Sequence, residues 1–207
     1  MGLFERDRVF IMTIESSIPE QMPQRTPGFS QKFGRFVLRL MGWKLTGQLP
    51  NEPRLMVILA PHTSNWDFIV AVAVLLALNL KISFMMKKEA FFWPCKNMFM
   101  NFGAIPIDRK EARDVVTQAA GWYQDHDKVW LGITPEGTRS KVTSWKTGFL
   151  RIAQAADVPI MLVGMDATKK SVIVDKVVRA TGDHETQAEE IRQYMNDKFI
   201  GINPKNQ

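Results

Sequence analysis

The stretch Leu55-Met56-Val57-Ile58-Leu59-Ala60-Pro61-His62-Thr63-Ser64-Asn65-Trp66-Asp67 decides the fold, because an unbroken apolar run meets a proline and then a helix-opening pattern. A continuous apolar run ended by Pro61 is what a strand covered on both faces requires. Ser64 with an acid three residues later, Asp67, matches a serine N-cap whose helix reaches back to it, so Ser64 to Leu80 reads as a helix. The pair is a βα unit, and it puts His62 and Asp67 at the junction.

Outward from that unit, strands are predicted at Ile82 to Met86, Ile105 to Ile107, Val129 to Thr134, Ile160 to Val163 and Ser171 to Asp175. Helices fit Glu111 to Gln124, Thr147 to Ala156 and Thr186 to Phe199. Such alternation predicts one α/β domain, a mixed but mostly parallel sheet flanked by helices, with no internal repeat. Upstream, Phe33, Phe36, Val37, Leu40 and Met41 recur at helical spacing between Lys32, Arg35 and Arg39, which predicts a basic amphipathic helix over Phe29 to Met41. Its apolar face serves either the core or an anionic lipid surface. Residues 1 to about 28 carry Pro19, Pro23 and Pro27 without a period and read as an extension or a loosely docked arm. The chain is thus expected to divide into an extension with its helix, 1–45, and a main domain, 46–207.

The composition narrows the function. Lys and Arg outnumber Asp and Glu by 27 to 21, so a net charge of +6 favours anionic partners: phosphorylated lipids, anionic membranes, coenzyme phosphates or nucleic acid. Nucleic acid ranks low, because no basic run is interleaved with stacking aromatics. Cys95 is the only cysteine, which excludes an intrachain disulfide and points to a reducing compartment, the cytoplasm. Glu5, Arg6, Asp7 and Arg8 interrupt any secretory signal pattern. The longest apolar run, Phe68 to Leu78, falls short of the roughly 20 residues a spanning helix needs, so a surface-associated protein is expected rather than a transmembrane one.

Two polar turns follow apolar runs. At the first, His62 is a candidate general base with Asp67 fixing its tautomer and stabilising the imidazolium; equally, Asp67 can simply cap the helix, and the two roles are compatible. No conventional nucleophile accompanies His62, so direct attack by a substrate hydroxyl on a bound acyl group is the favoured chemistry. Backbone amides of Thr63 to Asn65, at the helix start, are candidate oxyanion donors. The second turn, Thr134 to Ser140, combines Glu136, Gly137, Thr138 and Arg139 and reads either as an anion site or as a solvated loop. Gly103 to Arg109 brings another arginine just after a short strand, and Lys146 with Gly148 precedes a helix. His126 and His184 lack ligand-spaced partners, so no metal site is expected, and there is no glycine-rich phosphate loop.

His62 with Asp67, Gly103 to Arg109, Glu136-Gly137-Thr138-Arg139-Ser140 and Val158-Pro159-Ile160 together resemble the four ordered blocks of the glycerolipid acyltransferases, which include the 1-acylglycerol-3-phosphate acyltransferases. From His62 to Pro159 they span 98 of the 207 residues. The resemblance implies that fold over residues 46–207, and transfer of an acyl group from a thioester of coenzyme A or an acyl carrier protein to a lysophospholipid hydroxyl. It makes the thioester a co-substrate, with no other cofactor. By it His62 is the base and Asp67 its partner, Arg109, Glu136, Gly137, Thr138 and Arg139 serve the acceptor's glycerol and phosphate, and Pro159 belongs to a block tied to the acyl side. Lys146 with Gly148 resembles a lysine-glycine step after the third block. Thr134 departs from the phenylalanine common there, which bears on acceptor preference. Another lysolipid or an acylated amino acid as acceptor, or a non-catalytic lipid-binding protein of the same fold, are the competing readings. Membrane contact, on the inner face, falls to the Phe29 to Met41 helix or to aromatics near Phe91, Phe92 and Trp93.

Overall fold

The computed structural model describes residues 18–26, 28–92, 96–108 and 112–207. Along the chain come α1 (Phe29–Met41), β1 (Lys44–Gly47), β2 (Arg54–Ala60), α2 (Asn65–Ala77), β3 (Ile82–Lys87), α3 (Lys96–Asn101) and β4 (Ala104–Ile107). Then follow α4 (Ala112–Gln124), β5 (Val129–Ile133), α5 (Gly148–Ala155), β6 (Ile160–Asp166), β7 (Ser171–Val178) and α6 (His184–Lys198). The strands form one seven-stranded sheet in the order β1-β7-β6-β2-β5-β3-β4. Within it β6, β2, β5, β3 and β4 run parallel, whereas β7 lies antiparallel to β6 and parallel to β1. The mixed, mostly parallel α/β domain expected from the sequence is the fold observed.

Period-two alternation divides the core into two layers. In β2, Met56, Ile58 and Ala60 join Leu131, Ile160 and Leu162 beneath α4, α5 and α6. Leu55 and Val57 face the other way, with Trp130, Met161, Val163 and Val174, beneath α1 and α2. Every residue of β6 is buried, as a strand covered on both faces demands.

Helix α1 gives only part of its apolar face to the core. Leu38 is buried in the core, and Val37 and Met41 pack against it. Phe29, Phe33, Phe36 and Leu40, at helical spacing, are 80%, 48%, 59% and 75% exposed, and the rings of Phe29 and Phe33 stack at 6.5 Å. The expected apolar face is therefore split between the core and solvent.

Two expectations about the N-terminal part need correction. Residues 18–26 are not loosely docked: Met22 is 1% exposed, Gln24 bridges to Leu80, and the Arg25 amide donates to the Asn79 carbonyl at 2.9 Å. The boundary expected at 45/46 falls inside β1, which pairs with β7. That strand escapes a sequence reading because it is four residues long, with exposed Lys44 and Gly47 at its ends.

Candidate active site

Adjacent parallel strands bring the two polar turns together. Ile58 of β2 is in register with Ile133 of β5, so the chain leaves both strands side by side, at the carboxyl edge where open α/β sheets place their chemistry. His62 follows β2 after a cis Ala60–Pro61 bond, and Glu136 follows β5.

Asp67 caps the helix and lies beside His62. It is fully buried, and its Oδ2 accepts the amides of Thr63 at 2.5 Å and Ser64 at 2.7 Å. Ser64 Oγ in turn accepts the Trp66 amide at 3.2 Å, completing the reciprocal cap of α2. The same Oδ2 lies 3.4 Å from His62 Nδ1, within ion-pair reach but not aligned as a hydrogen bond, since Nδ1 has no hydrogen-bond partner among the described residues. Catalytic hydrogen bonds in unliganded sites are commonly long and tighten around substrate. Asp67 Oδ1 and Glu136 Oε2 are likewise buried without a partner, so three unanswered polar atoms gather at this site.

The capping arrangement corrects one expectation. The amides of Thr63 and Ser64 are consumed by Asp67, which removes two of the three candidate oxyanion donors and leaves Asn65, at the first position of α2.

Glu136 sits closer to His62 than its sequence position suggested. Its Oε1 accepts the His62 amide at 3.0 Å, tying the two turns together. Burial drives its carboxyl above the ordinary carboxylate range, against the opposing hydrogen bonds and the neighbouring His62. A carboxyl raised in the folded state stabilises most below its unfolded pKa, and that contribution is lost as pH rises through the folded value. Glu136→Gln, which never ionises, should therefore melt with the wild type in acid below the usual carboxylate range. It should melt higher near neutrality, by on the order of a few degrees. A melting difference independent of pH would show that the carboxyl titrates as freely as in water.

Beyond Glu136 the second turn meets Lys146. Gly137 adopts φ +65°, and a side chain there would lie 3.2 Å from Lys146 Nζ, so the glycine both makes the turn and admits the lysine. Thr138 and Arg139 are exposed, with Thr138 Oγ1 accepting the Ser140 amide at 3.3 Å. Arg109 lies outside the described residues; its neighbour Asp108 is held by Gln118 of α4 through bonds of 3.0 and 3.1 Å. Trp93 and Cys95 also lie outside them, while Phe92 is 60% exposed.

Pro159 is the site residue that the fold does not bring in. It precedes β6 and its carbonyl accepts the Met56 amide at 2.9 Å, which places it at the amino edge of the sheet. Five strand residues, roughly 16 Å, separate that level from Ala60. Two and four residues beyond Pro159, in β6, Met161 and Val163 line an apolar cavity of about 440 Å³ between α2 and the sheet. Val57, Leu59 and Val174 also floor it, Ala71, Val72 and Leu75 roof it, and Phe68 and Thr134 reach it from beside Asp67 and Pro135. Sequence reasoning missed this cavity, since its lining comes from β1, β2, β3, β5, β6, β7 and α2.

One sheet edge thus carries a histidine–carboxylate pair, a half-buried glutamate and a turn bearing Arg139, beside an apolar cavity. The family model described as Acyltransferase matches residues 44–166. The chain belongs to the acyltransferase family, the one its ordered sequence blocks resemble. Its fold is similar to that of the crystal structure of the 1-acyl-sn-glycerophosphate (LPA) acyltransferase PlsC from Thermotoga maritima. That match has a TM-score of 0.56 at 20% identity and covers 81% of this chain and 74% of that one. No curated protein sequence matches this chain significantly.

Proposed function

We propose that this protein transfers a fatty acyl group from a thioester of coenzyme A or an acyl carrier protein to the free hydroxyl of a lysophospholipid, with 1-acylglycerol-3-phosphate as the favoured acceptor. The observation that carries this reading is the apolar cavity of about 440 Å³ whose lining includes Phe68, next to Asp67, and Thr134, two residues before Glu136. That volume lies within the range of about 300–1,000 Å³ typical of small-molecule pockets, and its walls suit a hydrocarbon chain whose carbonyl end rests near His62. Support for the acceptor comes from the cationic Arg139 and Lys146 and from the activity named for the Thermotoga protein.

In the reaction His62 takes the proton as the acceptor oxygen bonds to the thioester carbonyl carbon. Asp67 stabilises the imidazolium, and the Asn65 amide is the candidate donor to the oxyanion. Collapse breaks the C–S bond, and the thiolate leaves with the proton returned by His62. An ester and a free thiol result. A thioester is already activated, so the chain's own groups are sufficient and no other cofactor is required.

The acceptor and product live in a bilayer, and no helix among the described residues is long and apolar enough to cross one. Access from the cytoplasmic face is assigned to α1, whose exposed stripe of Phe29, Phe33, Phe36 and Leu40 is flanked in sequence by Lys32, Arg35 and Arg39. Helices α1 and α2 cover the sheet face that holds the cavity, and Trp66 and Phe68 of α2 are 57% and 67% exposed. Each cation near an anionic surface contributes on the order of 1 kcal/mol. Anionic vesicles should therefore bind the protein at least about tenfold more tightly than neutral ones at low salt. Changing the three cations to glutamine should erase the difference in a sedimentation assay. Equal binding to both vesicle types would assign the helix to the fold alone.

The acceptor is tested by supplying the purified protein with a panel of lysolipids and one acyl thioester. Preference for a phosphate-headed lysolipid supports the proposal; equal use of neutral acceptors would remove the role given to Arg139 and Lys146.

A further inference from the structure

Three backbone groups of His62 and Thr63 are each tied to a different part of the chain. The His62 amide donates to Glu136, after β5, at 3.0 Å. The Thr63 amide donates to Asp67, in α2, at 2.5 Å. The Thr63 carbonyl accepts Asn206 Nδ2, beyond α6, at 3.0 Å.

The third tie belongs to a segment with no recognisable sequence signal. Thr63 Oγ1 also accepts the Asn203 amide at 3.0 Å, and Thr63 is 2% exposed. At Gly201 an added Cβ would fall 2.5 Å from Thr63 Oγ1, so the segment lies directly against that side chain. It is anchored behind: Gln207 Oε1 accepts the Gly201 amide at 2.9 Å, and Gln207 Nε2 donates to the Phe199 carbonyl at 2.7 Å. The Ile200 carbonyl accepts the Ala167 amide at 2.7 Å, at the carboxyl end of β6, the strand beside β2. Asn206, Gln207 and Asn196 share a small pocket with His62 and Glu136.

We propose that the segment Gly201–Gln207 is a strap that positions the catalytic turn, with Asn206 as its principal hold on the backbone carrying His62. The proposal rests on the reading of His62 as the base. Catalytic groups need placement within about 0.5 Å, and a misplacement of about 1 Å can cut a rate by about 100-fold. A strap on Thr63 therefore acts on turnover through His62, without touching substrate binding.

The test pairs kinetics with the NMR signals of the histidine rings, assigned to His62 by their loss in His62→Ala. Asn206→Ala removes one hold, and Thr63→Val removes the hydroxyl that meets Asn203 while keeping the side-chain shape. Each should lower kcat by about tenfold or more, leave both Michaelis constants within about twofold, and move the His62 ring signals but not those of His126 and His184. Lys205→Ala, exposed in the same segment, should do none of this. If Asn206→Ala fails to fold, Thr63→Val is read in the same way. Folded variants with unmoved His62 signals and kcat within about twofold of the wild type would overturn the strap. A wild-type protein that transfers no acyl group would instead overturn the proposed function, and the His62 signals would still decide the strap.

Discussion

His62→Ala is expected to reduce acyl transfer by at least about 100-fold, the scale at which a positioned acid/base group contributes. The fold should survive, because the turn is held by the His62 and Thr63 amides, which the substitution keeps, and not by a hydrogen bond from ring Nδ1 among the described residues. Melting temperature and vesicle binding should therefore stay at wild-type values while kcat collapses. Near-native turnover by the folded variant would remove His62 from the mechanism.

Asp67→Asn should produce the second largest effect, and on two measurements at once. Asp67 Oδ2 holds two amides and faces the imidazole, so loss of its charge weakens charge-assisted bonds and withdraws support from the imidazolium. Weakening a helix cap costs about 0.5–2 kcal/mol, which for a domain of this size is a drop of a few degrees in Tm. Activity should fall further than that, by about tenfold to 100-fold, at temperatures where the variant is fully folded. A lowered Tm with unchanged kcat would mean that Asp67 caps the helix and does nothing more.

The parts legible in the sequence were those fixed by local chemistry. Leu55 to Ala60 with Pro61, Ser64 and Asp67 predicts β2, the turn and the cap of α2, and these form as expected. The bounds of α1 also agree, because its apolar spacing and Gly42, at φ +71°, mark a helix and its stop. Strand β6 runs on to Asp166, past the expected end at Val163. Gly164, just past that end, lies under the Phe199 ring, where any side chain would collide. Strand β7 likewise continues to Val178 because pairing with β6 sustains it through Lys176.

The site was legible in its residue types and not in its contacts. The resemblance puts Glu136 on the acceptor side, and it does not announce that its Oε1 meets the His62 amide 74 residues away. Such a bond depends on which strands are neighbours, and pairing order is absent from local pattern. Pro159 was drawn in by its block, and the direction of β6 puts it at the other edge of the sheet. Thr63 stood inside the quoted motif, but its partners Asn203 and Asn206 lie 140 and 143 residues away in a stretch without periodicity.

The central claim is that a thioester's acyl group passes directly to a lysolipid hydroxyl. It is tested most directly by following free thiol and lipid product together, with the purified protein, an acyl thioester and 1-acylglycerol-3-phosphate on anionic vesicles. The account predicts one thiol for each new ester, and neither without the acceptor. Thiol release that ignores the acceptor would make the protein a hydrolase, and lipid binding with no thiol or product would make it a carrier; either result contradicts the account.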